Sequence, residues 1–196
     1  MLLADPDVPL TIARVADAIG AAPMSLYRHF ADREDLVVAV AHHLFIDVRP
    51  SVAVDATWQE QIRIWMTHVH VQATRVPQLV QLAATGESPA WLADSAYLAA
   101  VLTDAGFTDD RRVAEAVHWV ATATMGNAMI RATAPASFPT QALQAAVGDL
   151  AADDALRMTR VLPHLAAIHD EGFRVIVDWT IAGLEAQLSA ARDASH

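Results

Sequence analysis

The 196-residue chain has no cysteine and no lysine. Without cysteine there is no disulfide, no thiolate metal site and no cysteine nucleophile. Its seven glycines are scattered too widely for a phosphate-binding loop, and no serine stands in a nucleophile elbow. Long apolar runs are missing as well. The longest membrane candidate, 116–130, is bounded by Glu115 and Arg131 and is shorter than the roughly 20 residues a spanning helix needs. No basic stretch precedes an apolar run at the N-terminus, so no signal peptide is expected. These absences predict a soluble, cytoplasmic chain without a membrane partner.

Metal and catalytic constellations are equally sparse. His42 and His43 are adjacent and diverge on a helix, while His68 and His70 are two apart and cannot share a helical face. Glu115 and His118 have the Glu-x-x-His spacing of a di-iron bundle, which requires a second copy that the chain lacks. No enzyme, metal or cofactor is expected.

Positive charge is scarce. Thirteen arginines face 23 carboxylates, a net charge of −10, which opposes the phosphate neutralisation on which nucleic-acid affinity largely depends. Within residues 1–45, Arg14, Arg28 and Arg33 meet Asp5, Asp7, Asp17, Asp32, Glu34 and Asp35, a local net of −3. Any contact with DNA there must rest on a few placed residues and on helix N-termini.

Hydrophobic residues make up 54% of the chain, enough for a substantial core. Their periodicity is helical throughout, and the expected class is all-α. A helix is predicted from Arg33 to about Val48, ended before Pro50. Trp58, Ile62, Trp65, Val69 and Gln72 mark a second, stopped at Pro77. Pro89 to Ala105 ends at Gly106, Asp109 to Thr133 is long, and 134–140 reads as a loop. Asp153 to Ile168 must accommodate Pro163, which predicts a kink or break. Asp170 to Arg192 closes the chain.

The most specific segment is 11–36. Thr11 is placed to cap a helix in which Ile12, Val15, Ala16 and Ile19 form one apolar stripe. Gly20 suits a left-handed C′ position, and Pro23 suits the first turn of the next helix. Leu26 and Phe30, four apart, turn inward. Met24, Ser25, Tyr27, Arg28 and His29 are left outward.

Leu26-Tyr27-Arg28-His29-Phe30, preceded by Gly20 and followed by Asp32-Arg33-x-x-Leu36, resembles the DNA-binding head of the tetracycline-repressor (TetR) family. The resemblance implies a helix-turn-helix head over 1–47 and a helical ligand-binding and dimerisation domain over 48–196. It implies that Thr11 and Arg33 touch phosphates, that Pro23, Met24, Ser25 and Arg28 face base edges, and that Tyr27 and His29 reach the backbone. Arg28 is the candidate for reading guanine, whose O6 and N7 accept both arms of a guanidinium.

In the body, Trp65, His68, Val69, Trp91, His118, Thr122, Met125 and Met129 are candidates for a largely apolar effector pocket, or else ordinary core. The family pairs its last helix with an earlier long one across a dimer. The implied helices here are Asp109–Thr133 and Asp170–Arg192, with Val175, Trp179, Ala182, Gly183 and Ala186 as the stripe, which alternatively is intrachain core.

Three positions depart from the family pattern. Only Met1 to Leu10, with Pro6 and Pro9, precedes Thr11, so the first helix of the head is expected to be short or missing and the head correspondingly less stable. Ala22 stands where a capping Ser or Thr is usual, and Ala13 where Arg is frequent. The implied function is a ligand-responsive homodimeric regulator, most simply a repressor released from a palindromic operator. The alternative is a small-molecule-binding helical protein whose head no longer binds DNA.

Overall fold

In the computed structural model, residues 10–43, 47, 50–76, 90–133, 139–169 and 171–193 are described. Among them the chain is all-α, with no strand. The elements are α1 (Ile12–Ala18), α2 (Pro23–Leu26), α3 (Arg33–His42), α4 (Trp58–Arg75), α5 (Ala90–Ala105), α6 (Asp110–Thr133), α7 (Thr140–Val147), α8 (Ala152–Ile168) and α9 (Gly172–Asp193). The expected short or missing first helix falls on residues 1–9, outside the described residues.

The body is built round α6, which lies against α4, α5 and α9, while α4 also touches α5 and α9. Its centre is Ile62 and Met66 of α4, Leu98 and Leu102 of α5, Val120 and Thr124 of α6, and Val177 and Leu184 of α9, all fully buried. Each large aliphatic side chain there contributes about 1.5–3 kcal/mol by leaving water. Thr124 is tolerated because its hydroxyl donates to the Val120 carbonyl at 2.7 Å, which satisfies the buried group within its own helix. Arg63 to Asp178 at 2.7 Å and Gln59 to Glu185 at 2.9 Å run α4 and α9 antiparallel.

Local rules explain the helix ends. Thr57 caps α4 in a full capping box with Glu60, and those hydrogen bonds hold the Glu60 carboxyl below its ordinary range. Asp109 caps α6 by accepting from Arg112 N–H at 2.9 Å. Two glycines close Schellman motifs. Gly20 (φ +67°) has Ala21 N–H on the Ala16 carbonyl at 2.8 Å, and Gly106 (φ +113°) has Phe107 N–H on the Leu102 carbonyl at 3.1 Å. Both backbones occupy the left-handed region that glycine reaches without a Cβ penalty.

The structure corrects several expectations. Ile19 is 62% exposed rather than part of the buried stripe, because α1 ends at Ala18 and Ile19 takes the capping conformation beyond it. α2 is only four residues long, and Tyr27 to His29 form a turn. α3 is assigned to His42, and the predicted continuation to Val48 falls largely outside the described residues. His42 and His43 do not diverge fully: their Nδ1 atoms lie 3.4 and 3.2 Å from the two oxygens of Asp47.

α7 was not foreseen. The expected break at Pro163 does not occur, since α8 is one helix from Ala152 to Ile168. No helix among the described residues is long and apolar enough to cross a membrane.

Candidate functional site

The head is a small cluster in which Leu10, Ile12, Ala16, Leu26, Leu36 and Val37 are buried and Val15 and Phe30 pack alongside. Those apolar positions decide which side chains are left for solvent. Leu26 anchors α2 from beneath, and the Phe30 N–H bonds the Leu26 carbonyl at 2.9 Å, which turns Phe30 inward as the four-residue spacing requires. The outward edge is then Pro23, Met24, Tyr27, Arg28 and His29, all exposed, with Ser25 half-buried. Met24 is 73% and Tyr27 52% exposed, a high exposure for groups this apolar on a segment this short.

The polar groups of the head are partly committed to its own backbone. Thr11 Oγ1 accepts from Arg14 N–H at 3.3 Å, as the capping position demands. Ser25 Oγ donates to the Ala22 carbonyl at 2.6 Å, so it is turned toward the helix start. Ala22 itself has extended backbone and offers no capping side chain. Asp32 accepts from Asp35 N–H at 2.9 Å, and Asp35 accepts from Ala31 N–H at 3.0 Å. Two of the six carboxylates in residues 1–45 are therefore occupied in holding the start of α3.

Arg33 donates Nε to the Leu10 carbonyl at 2.8 Å. This bond ties α3 to the residue that enters α1, 23 positions earlier, a structural role that the sequence did not suggest.

In the body the expected pocket residues divide. Trp65, His68 and Val69 are buried in α4, and Trp65 Nε1 donates to Asp94 Oδ1 of α5 at 3.0 Å. Met125 is half-buried, whereas Trp91, His118, Thr122 and Met129 face solvent. α6 turns Ala116, Val120, Thr124 and Ala128 into the core, so the side carrying His118, Thr122 and Met129 points away from α4. The structure does not bring the eight together. Glu115 pairs with Arg111 at 2.9 Å, and no described group of three His, Asp or Glu can hold a metal.

A polar cluster that sequence reasoning passed over lies where the far ends of α4 and α6 meet the start of α9. His70 Nε2 lies 2.8 Å from Asn127 Oδ1, and its ring stacks on Phe173 with centroids 3.6 Å apart. Burial, reinforced by the nearby charge of Arg131 and only partly offset by the Asn127 hydrogen bond, holds His70 below the ordinary imidazole value. Arg131 Nη1 donates to the His169 carbonyl at 3.2 Å and lies 3.1 Å from His169 Nε2. One turn beyond His70, Thr74 Oγ1 is buried with no hydrogen-bond partner. The two (i, i+4) pairs, His70 with Thr74 and Asn127 with Arg131, were the available signal.

The proposed dimer stripe on α9 is largely uncovered. Trp179 is 77% exposed, Ala182, Gly183 and Ala186 are exposed, and Val175 is half-buried. α6 is the centre of the body, with Trp119 and Ile130 exposed on its outer side. α8 packs on α7 and leaves Val161, Leu165 and Ile168 exposed along one face.

Residues 9–40 match the family model of bacterial regulatory proteins of the tetR family. The whole chain is similar to solved structures. A possible TetR family transcriptional regulator from Streptomyces coelicolor A3(2) is 25% identical, with 90% of this chain and 89% of that one covered and a TM-score of 0.64. ActR of Streptomyces coelicolor, in complex with actinorhodin, is 19% identical over 91% and 88%, TM-score 0.66. BioQ of Mycobacterium smegmatis is 24% identical over 92% of both, TM-score 0.55. BioQ with its natural double-stranded DNA operator matches at 20% identity over 88% and 86%, TM-score 0.52. No curated protein matches the chain.

Proposed function

We propose that the chain is a regulator of the TetR family, on the match of its head to that family's model over residues 9–40 and on its fold, and that it is a homodimeric repressor released from a palindromic operator by a small effector. The observation that carries the reading is the outward edge of the head. A helix start at Pro23 and the exposed Met24, Tyr27, Arg28 and His29 form one projecting surface with a hydroxyl, a cation and rings, the size and chemistry that a major groove admits. Thr11 and Arg33 flank it and supply phosphate contacts, Arg33 through the guanidinium nitrogens not committed to Leu10.

BioQ with its operator and ActR with actinorhodin are similar in fold, which supports assigning DNA to the head and an effector to the body. α9, with Val175, Trp179, Ala182, Gly183 and Ala186, and the apolar face of α8 form the surface that a second copy covers. A dimer doubles the few basic contacts that an acidic head provides. Contact between α3 and α5 carries a change in the body to the head, so an effector that favours a different head separation shifts the population off DNA.

Fluorescence-anisotropy titration of the chain against the DNA upstream of its own gene, at low and moderate salt, tests this. Preference over random DNA that weakens with salt is expected. Equal binding to both, or none, supports instead a small-molecule-binding protein whose head no longer reads DNA, a reading that the net charge of −3 over residues 1–45 favours.

A further inference from the structure

The cluster at the far end of α4 and α6 has the composition of an anion site without its anion. Arg131 is half-buried, and among the described residues its guanidinium meets no carboxylate, only the ring and carbonyl of His169 through Nη1. Its Nε and Nη2 carry no hydrogen bond there. Those two nitrogens are the parallel donors that a planar carboxylate accepts side-on. A half-buried guanidinium keeps only part of its hydration, so a partner on that edge, which has none among the described residues, would stabilise it.

Two further observations point at the same place. The buried Thr74 hydroxyl has no partner, and buried polar groups without partners call for a ligand or an ordered water. His70 and His169 add ring nitrogens and no negative charge, while Phe173, stacked on His70, supplies an apolar wall.

We propose that His70, Thr74, Asn127 and Arg131, closed by His169 and Phe173, form the polar end of the effector site, and that the effector is a small aromatic or alicyclic carboxylate. The carboxylate sits on the Nε and Nη2 edge of Arg131 and accepts from Thr74, and the apolar body lies along α4 and α6. This rests on the reading of the body as the effector-binding part. It also places the ligand against His169, at the junction of α8 and α9, so occupancy bears directly on the helices assigned to the partner copy.

Isothermal titration of the full chain with 1-naphthoate and with its neutral counterpart 1-naphthamide tests the assignment. Naphthoate is expected to bind at least 10-fold tighter than the amide. Arg131→Met should remove that difference, and Arg131→Lys, which keeps charge but not the fork, should retain part of it. Circular dichroism and thermal melts establish that the variants are folded, and Thr74→Val gives a second, milder variant with an expected loss of 3-fold or more. Equal affinities for acid and amide, no heat with either up to about 10 mM, or an undiminished acid preference in folded Arg131→Met overturns the proposal. DNA anisotropy on the same preparations is read separately. Retained operator preference with no naphthoate binding overturns the carboxylate site alone, and loss of both overturns the regulator reading.

Discussion

Replacing Trp179 by glutamate should dissociate the proposed dimer. A tryptophan side chain buries roughly 150–250 Å² when fully covered, and Trp179 is 77% exposed on α9, so about 150 Å² awaits cover in each copy. At about 25 cal/mol per Å² this is about 4 kcal/mol per copy. A two-fold axis counts every substitution twice, but ordering side chains and imperfect cover reduce the gain. A net loss of at least about 3 kcal/mol remains, a Kd more than about 100-fold weaker, and the new carboxylate adds its own desolvation cost. Sedimentation velocity over roughly 1–50 μM protein reads this as a shift from a dimer to the 21.1 kDa chain. Far-UV circular dichroism should be unchanged, because an exposed side chain contributes little to the fold of one copy. A wild-type chain that sediments as a monomer, or a variant with an unaltered dimer fraction, refutes the reasoning.

Three further outcomes are expected. Arg28→Ala should relax base preference, whereas Arg33→Ala should weaken all DNA alike, flatten the salt slope and, through the lost bond to Leu10, increase amide exchange in α1; identical behaviour of the two refutes the division. His70 is held below its ordinary value of 6.5, so its neutral form stabilises the fold fully above that pH and the contribution is lost as pH falls through the lowered folded value. His70→Gln should therefore shrink the drop in melting temperature between pH 7 and pH 5, and an equal drop would exclude His70 as the cause. Ala22→Ser should stabilise the head by about 1 kcal/mol by supplying the missing cap, while Gly20→Ala should cost about 1–2 kcal/mol through its left-handed backbone despite open space around it; hydrogen exchange of α1 and α2 reads both signs.

The helices α4, α5, α6 and α9 were legible because each buries a stripe. Trp58, Ile62, Trp65 and Val69 announced α4, and Gly106 marked the end of α5 through a backbone conformation only glycine takes easily. α7 was invisible for the converse reason. Thr140–Val147 buries no residue and so leaves no pattern of core positions to detect. Ile19 misled because a stripe continues in sequence past the point where the backbone leaves the helix.

The outward edge of the head was legible because it depends on neighbours three and four residues apart. The His70 cluster was not. Its partners lie 57 and 38 positions away, and only the packing of α4, α6 and α9 brings them together. Periodicity also could not tell which side of α6 faces inward, since Ala116, Val120, Thr124 and Ala128 are no more apolar than the Trp119, Met129 and Ile130 they displace to solvent.

The unequal exposure of the tryptophans gives the molecule a built-in optical readout. Trp65 is 3% exposed and hydrogen-bonded to Asp94, whereas Trp91, Trp119 and Trp179 are 50%, 59% and 77% exposed. A collisional quencher such as acrylamide therefore separates the shielded Trp65 from the accessible Trp91, Trp119 and Trp179, with the half-buried Trp58 of α4 between them. Cover of α9 by a second copy, as proposed, should reduce the quenching of Trp179, and a rearrangement between α4 and α5 should alter Trp65. A single unlabelled sample thus distinguishes an event at the surface between copies from one inside the body.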